Sequence, residues 1–361
     1  MFFVYLLFIA TTVAQVGICG VTELDCTWEY DNATKTLDIS GSGNMNDFEV
    51  NGRPWEEILD EIINLNINGL KTIGKNAFYG SSSLKNIHFS DSIEKIGEKA
   101  FAECKSIGFF VVTKNVVEIG PSVLENCVNL RTVIFGKEQQ IIPKRICYGC
   151  SNLEIVIFQN KVVEIQESAF ENCSKMYMIT YSNVLKTIGK KAFYNTGIEY
   201  LDYNEPLTSI DDYAFANCSK LERVVLNNTQ TLGNGAFSNC TNLKIFRYNS
   251  KTKPQCEKTV FENDQDLTIF LTFGDREDFC GIEPKLLYTD GEKALFVILI
   301  FVCSMIIFLA LLFTFLYIYY SKAHSKNEKI CSASPIGFCK WLGEKLCCKN
   351  NQGHYDSMPD N

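Results

Sequence analysis

Histidine is scarce in this chain of 361 residues, which holds three: His88, His324 and His354. The last two fall in the C-terminal tail, so His88 alone serves the larger part of the chain. That removes zinc sites built on histidine pairs and makes any Cys/His or Ser/His nucleophile depend on one residue. No G-x-x-x-x-G-K-[ST] or G-x-G-x-x-G stretch occurs, so the glycine-rich loops that cradle phosphates are missing. Basic residues are outnumbered, 34 Lys+Arg against 42 Asp+Glu, and a formal net charge of −8 leaves no basic surface for nucleic acid. The carboxylates are scattered. Neither enzyme chemistry nor a cofactor or metal is expected, and only a carboxylate site of unfamiliar type stays open.

What fills the chain instead is one repeating stretch, Ile73 to Tyr248. A phenylalanine or its stand-in recurs at Phe78, Phe101, Leu124, Cys147, Phe170, Phe193, Phe215 and Phe237, in steps of 23, 23, 23, 23, 23, 22 and 22 residues. Three residues after each come Ser81, Cys104, Cys127, Cys150, Cys173, Thr196, Cys218 and Cys240. An apolar triplet spaced L-x-x-V-x-F follows, as in Leu130/Val133/Phe135 or Leu153/Val156/Phe158. A fixed period of this length means a solenoid, in which no unit buries its apolar face alone. Period and spacing together point to a leucine-rich repeat.

The fourth and sixth triplet positions lie two apart, so both face the core from one side of a strand. Stacked coils are expected to pair these strands into one parallel sheet. A shorter return segment such as Ile93-Glu94-Lys95-Ile96-Gly97 leads to the next Ala-Phe, its glycine permitting a turn. Cys147-Tyr-Gly-Cys150 spells C-x-x-C, but Cys150 is the ordinary repeat cysteine and Cys147 fills the Phe slot, which argues against redox or metal chemistry.

The third and fifth positions of each strand point away from the core. A solvated face would be polar there, yet Phe109, Val111, Ile134, Ile155, Ile157, Met178 and Tyr200 form a run on adjacent rungs. Contiguous exposed apolar surface marks an interaction site, and these residues are the expected partner-binding set. His88 sits at an equivalent exposed position as a solvated ring.

Outside the repeats, Phe2 to Ala10 is a short apolar run followed by small residues, read as a secretory signal within residues 1–19 and cut after Ala14 or slightly later. Residues 20–72 form an N-terminal cap, with strands around Trp28 and Leu37 and a short helix begun by Pro54. Residues 251–293 hold a degenerate ninth copy, a C-terminal cap stapled by Cys256 and Cys280, and a polar stalk from Asp275. Residues 294–320 are uncharged and long enough to span a bilayer. Lys322, Lys326 and Lys329 follow, the basic flank of the cytoplasmic side. The expected topology is type I in the plasma membrane, repeats outside and the tail, residues 321–361, disordered within. That tail carries Cys331, Cys339, Cys347 and Cys348 among lysines, which suits inner-leaflet contact. It also carries Tyr355-Asp-Ser-Met358, an internalisation-type motif that would engage cytoplasmic sorting partners.

The cap motifs Leu37-Asp-Ile-Ser-Gly-Ser-Gly43, Met45-x-Asp-Phe48 and Pro54-Trp55, with Ile73-Gly-x-x-Ala-Phe78, resemble the BspA-like, or treponemal-type, leucine-rich repeat proteins. The resemblance covers residue 26 to about 250, with Leu124, Cys147 and Thr196 as departures. That family occurs in mucosal bacteria and parasitic protists. It implies a cell-surface adhesin binding host cells, matrix proteins or other microbes through a protein or glycan ligand. The alternative is a signalling or uptake receptor acting through its tail, which deletion of residues 325–361 would disable while sparing adhesion. The repeat cysteines have parallel Cβ bonds and are expected as buried free thiols, with disulfides at Cys256–Cys280 and, as a second pair, Cys19–Cys26. Among the sequons Asn32, Asn172, Asn217, Asn227 and Asn239, the turn residues Asn32 and Asn227 are the expected glycan acceptors.

Overall fold

Copy-to-copy identity of the core residues stacks each coil on the next. The computed structural model describes residues 15–159, 161–264, 266–272, 278–286 and 290–324, and the repeats form a parallel β-solenoid within it. Each L-x-x-V-x-F segment supplies a main strand. Thr132–Ile134 pairs in parallel with Phe109–Val111 on one side and Ile155–Ile157 on the other. Leu130, Val133 and Phe135 between them are wholly buried.

The main strands are not one continuous sheet. Asn86–Phe89 ends a first group, Phe109–Val111 to Met178–Thr180 form a second of four strands, and Tyr200–Pro206 opens a third. The return segments, read from sequence only as connections, are two-residue strands such as Lys95–Ile96, Glu118–Ile119 and Glu164–Ile165, paired in parallel into a return ladder of two sections, one of three strands and one of five. Gly120 beyond them is not left-handed; a Cβ there would lie 2.5 Å from the Glu98 nitrogen of the preceding coil. Close approach, and not a turn, keeps that position small.

The Ala-Phe corner is the third seam between coils. Two left-handed residues bracket each Phe slot, for example Tyr213 (φ 57°) and Asn217 (φ 59°) around Phe215. The slot's N–H donates to the carbonyl of the residue just before the next coil's slot, as Phe193 to Ala214 and Phe215 to Ala236 at 2.8 Å each. Rings stack along the column, 5.0 Å between Phe193 and Phe215 and 5.5 Å between Phe215 and Phe237. Trp55 takes this slot one coil earlier and stacks on Phe78 at 5.4 Å. The stack thus begins inside the expected cap: Thr36–Ser40 pairs in parallel with Asn64–Asn68, which pairs with Asn86–Phe89.

The cysteine column follows the same register. Thiols of Cys104, Cys127, Cys150, Cys173, Cys218 and Cys240 each donate to the carbonyl of the Phe-slot residue one coil back, at 3.0–3.1 Å. They are buried and unbridged. Disulfides join Cys19 to Cys26 and Cys256 to Cys280. The column ends in a carboxylate. Asp264 stands three residues after Phe261, and its N–H bonds the Phe261 carbonyl at 3.2 Å, as Cys173 N–H does that of Phe170. Neither Asp264 carboxylate oxygen has a hydrogen-bond partner among the described residues.

Both ends of the solenoid reach further than the sequence reading placed them. Gln15–Ile18, assigned to residues 1–19 of the signal, pairs antiparallel with Thr27–Asp31, so a boundary at Ala14 keeps this strand and the Cys19 bridge. Phe279, assigned to the stalk, is buried against Phe246 and Tyr248, and Lys285–Leu286 pairs with Thr268–Leu271. Among the described residues, a separate unit from Tyr288 holds the helix Asp290–His324. Its apolar span Ile298–Ile318 has 21 residues, about 31 Å at 1.5 Å per residue, enough to cross a hydrocarbon core. The apolar run Phe2 to Ala10, the tail cysteines, Tyr355 and Met358 lie outside the described residues.

Candidate ligand-binding face

Strand pairing decides which outward side chains become neighbours. In the four-stranded group the register aligns Phe109, Thr132, Ile155 and Met178 in one row and Val111, Ile134, Ile157 and Thr180 in the other. None of these eight positions carries a charge. Phe109 and Met178 are about half exposed, at 53% and 47%, and Val111 is exposed at 39%. Ile134, Ile155 and Ile157 are only half-buried-to-open, because rungs on both sides cover their flanks. The expected run is therefore exposed at its ends and shallow in its middle.

Tyr200 does not continue the ladder, since its strand pairs with Arg223–Asn227 and not with Met178–Thr180. It lies among charges. The Arg223 guanidinium sits 5.1 Å from the Tyr200 ring and pairs with Asp202 at 2.5 Å, while the phenol donates to Glu222 at 3.3 Å. The Glu222 carboxylate, with some burial, raises the phenol above its ordinary range. Tyr200 thus marks the charged border of the apolar strip. Tyr177, exposed at 49% beside Met178, was missed because it occupies the second triplet position. Val117, Ile141 and Val163 are also exposed apolar residues at or just before return strands, which two-residue strands hide from any alternation pattern.

His88 is exposed on Asn86–Phe89; Cys147 is buried in the Phe slot and Cys150 in the cysteine column. No cluster of three His, Cys, Asp or Glu groups suited to a metal occurs among the described residues. Asn32 is exposed in the turn after Thr27–Asp31, its side-chain oxygen accepting from Lys35 at 2.6 Å. Asn227 is not in a turn: it closes the strand Arg223–Asn227, and its side-chain oxygen accepts from Asn249 at 2.9 Å. The next coil's amide thus occupies it. Asn172, Asn217 and Asn239 have φ of 66°, 59° and 58°, so the left-handed corner accounts for asparagine there independently of any glycan.

A sequence model of the BspA type Leucine rich repeat region matches residues 59–154 and 140–268, with 6 copies. The match runs over more than half of the 361 residues. The chain belongs to the BspA-type leucine-rich repeat family. The match of this BspA-type chain begins ahead of Ile73, in the coil that carries Asn64–Asn68. Its structure is similar to a leucine-rich repeat protein from Eubacterium ventriosum, at 17% identity, 76% of this chain, 84% of that chain and TM-score 0.48. The pneumococcal vaccine antigen PcpA is similar at 19% identity, 58% of this chain, 62% of that chain and TM-score 0.38. A leucine rich cell surface protein from Faecalibacterium prausnitzii is similar at 17% identity, 78% of this chain, 97% of that chain and TM-score 0.35. No curated protein matches the sequence.

Proposed function

We propose that this BspA-type chain is a membrane-anchored surface adhesin, held by Ile298–Ile318 and recognising an extracellular partner on host cells, matrix or microbes through its main-strand face. One observation carries the reading: two aligned rows of four outward positions, uncharged throughout, on adjacent rungs of a parallel ladder. A solvated sheet face alternates apolar-in with polar-out, and this strip departs from that over four rungs. Charged rungs border it at Asp202 and Arg223, an arrangement of apolar centre and polar rim that interfaces share. Family membership supports the same reading, as does the apolar helix that would anchor the repeats at a membrane.

The test replaces Ile155 by Asp and Ile157 by Lys together in the full chain displayed on cells. Both side chains lie on the outward face, so the fold survives, and attachment to target cells drops at least tenfold. Lys137→Glu, at an exposed turn, leaves attachment unchanged. Full attachment by the folded double variant would remove the strand face from the reading.

A further inference from the structure

The first group of main strands differs in chemistry from the apolar strip beside it. Its outward residues form two rows across parallel rungs: Thr36, Asn64 and Asn86 in one, Asp38, Asn66 and His88 in the other. Side-chain hydrogen bonds already align them. Asn86 donates to the Asn64 oxygen at 2.8 Å, Asn64 to the Thr36 hydroxyl at 3.3 Å, and Asn66 to Asp38 at 2.7 Å. Among the described residues, the Asn66 and Asn86 side-chain oxygens and the His88 ring bond nothing else within the chain. The amide oxygens can accept, and a neutral imidazole can both donate and accept. The strand of Asn86 and His88 does not pair with Phe109–Val111, but the repeat register puts Phe109 after Asn86 and Val111 after His88 on the next coil. Continuity below the surface is close, with the Phe89 and Phe110 rings 5.8 Å apart.

Charge narrows the ligand. The strands Thr27–Asp31, Thr36–Ser40, Asn64–Asn68 and Asn86–Phe89 carry Glu29, Asp31 and Asp38 but no lysine or arginine. Lys35, at the start of its rung, is already taken up by Asn32 and Glu61, so a sulfated, sialylated or phosphorylated ligand would meet three carboxylates with Lys85 beside Asn86 as the nearby cation. The amide and imidazole rungs suit uncharged hydroxyls, which accept and donate as these side chains do. Rungs about 4.8 Å apart repeat the same groups at a fixed interval, which matches a ligand built of repeated like units. An exposed aromatic ring at one end, Phe109, offers an apolar face to the C–H side of a sugar ring.

We propose that Asn64, Asn66, Asn86, His88 and Phe109 form a subsite for a neutral oligosaccharide chain, running along the polar rungs towards the apolar strip. This inference rests on the strand face being the recognition face. A basic peptide drawn by Glu29, Asp31 and Asp38 is the competing ligand, less well served because amides and a ring, not carboxylates, fill the rungs next to the apolar strip.

The test uses the full chain in nanodiscs over immobilised neutral oligosaccharides of two to six hexoses, sulfated and sialylated versions of them, and a lysine-rich peptide. The parent chain is expected to be retained on neutral sugars, more strongly as length grows, and not on the anionic set. Asn66→Ala with His88→Ala, and separately Phe109→Ala, lower that retention at least tenfold with the melting temperature unchanged. Asn66→Gln with the His88 ring intact restores part of it. Ile155→Asp/Ile157→Lys in parallel separates the two readings. If that variant still attaches to cells, the strand-face reading falls. If it loses attachment while neutral sugars fail to retain the parent chain, or while the lysine-rich peptide alone binds, the sugar subsite falls by itself.

Discussion

Asp264 offers the sharpest measurement on this fold. Six thiols in its column donate to the carbonyl one coil back, and the same register assigns residue 264 to the Phe237 carbonyl. A carboxylate has no proton to donate there, whereas a protonated carboxyl does. Burial pushes the Asp264 carboxyl from 3.8 up to about 7, an effect the nearby Cys240 N–H offsets only in part. A raised value means the native coil holds the proton more tightly than the unfolded chain does. The contribution is complete below about pH 4 and falls away as the pH climbs through 7. Some three powers of ten at ~1.4 kcal/mol each set a ceiling of about 4 kcal/mol. Because the residue is partly open to solvent, about half of that is the working figure. Asp264→Asn replaces the proton with an amide hydrogen and should stabilise the closing coils by about 2 kcal/mol at pH 8, or about 4–8 °C in melting temperature. At pH 4 it should change little. Thermal melts of the repeat unit at both pH values, with hydrogen exchange over residues 237–271, read the difference. Equal shifts at the two pH values would refute the donor-slot argument.

Two further outcomes follow from the coil geometry. Phe215→Ala removes a ring stacked on both neighbours and should cost about 3–5 kcal/mol, with exchange protection lost mainly in its own and adjoining coils. Asn217→Gln deletes the sequon but places an unsuitable side chain at φ 59°, and should destabilise by about 1 kcal/mol, whereas Asn217→Gly is near neutral. Equal melting temperatures for the two variants would show that the corner tolerates any residue.

Much of this architecture is visible in the sequence because a strand's two-residue alternation recurs at a fixed period. Leu130, Val133 and Phe135 announce the core side of their strand, and the cysteine register separates Cys150 from redox chemistry. The return ladder escapes because two residues cannot display an alternation. Trp55 escapes because it replaces the phenylalanine in a coil without the Ala-Phe signature; Asp264 is legible as part of the ninth copy, Val260-Phe261-x-x-Asp264, but its burial as an unpartnered carboxyl is not. The outward strip is half legible. Which residues point out follows from parity, but how far Ile155 and Ile157 emerge depends on the rungs above and below. The placement of Asn227 in a turn misses for the same reason, its amide partner lying one coil away at Asn249.

The unbridged thiols have a consequence for lifetime. Burial holds Cys104, Cys127 and Cys173 well above the ordinary thiol range, so in the closed coil they are protonated and unreactive. Once a coil opens, that protection ends, and oxidant or a neighbouring chain meets several ionisable cysteines at once. A reversible fluctuation is thereby turned into a covalent one. Under oxidising conditions the survival of this fold is set by how seldom its coils open, a rate, more than by how stable they are at equilibrium.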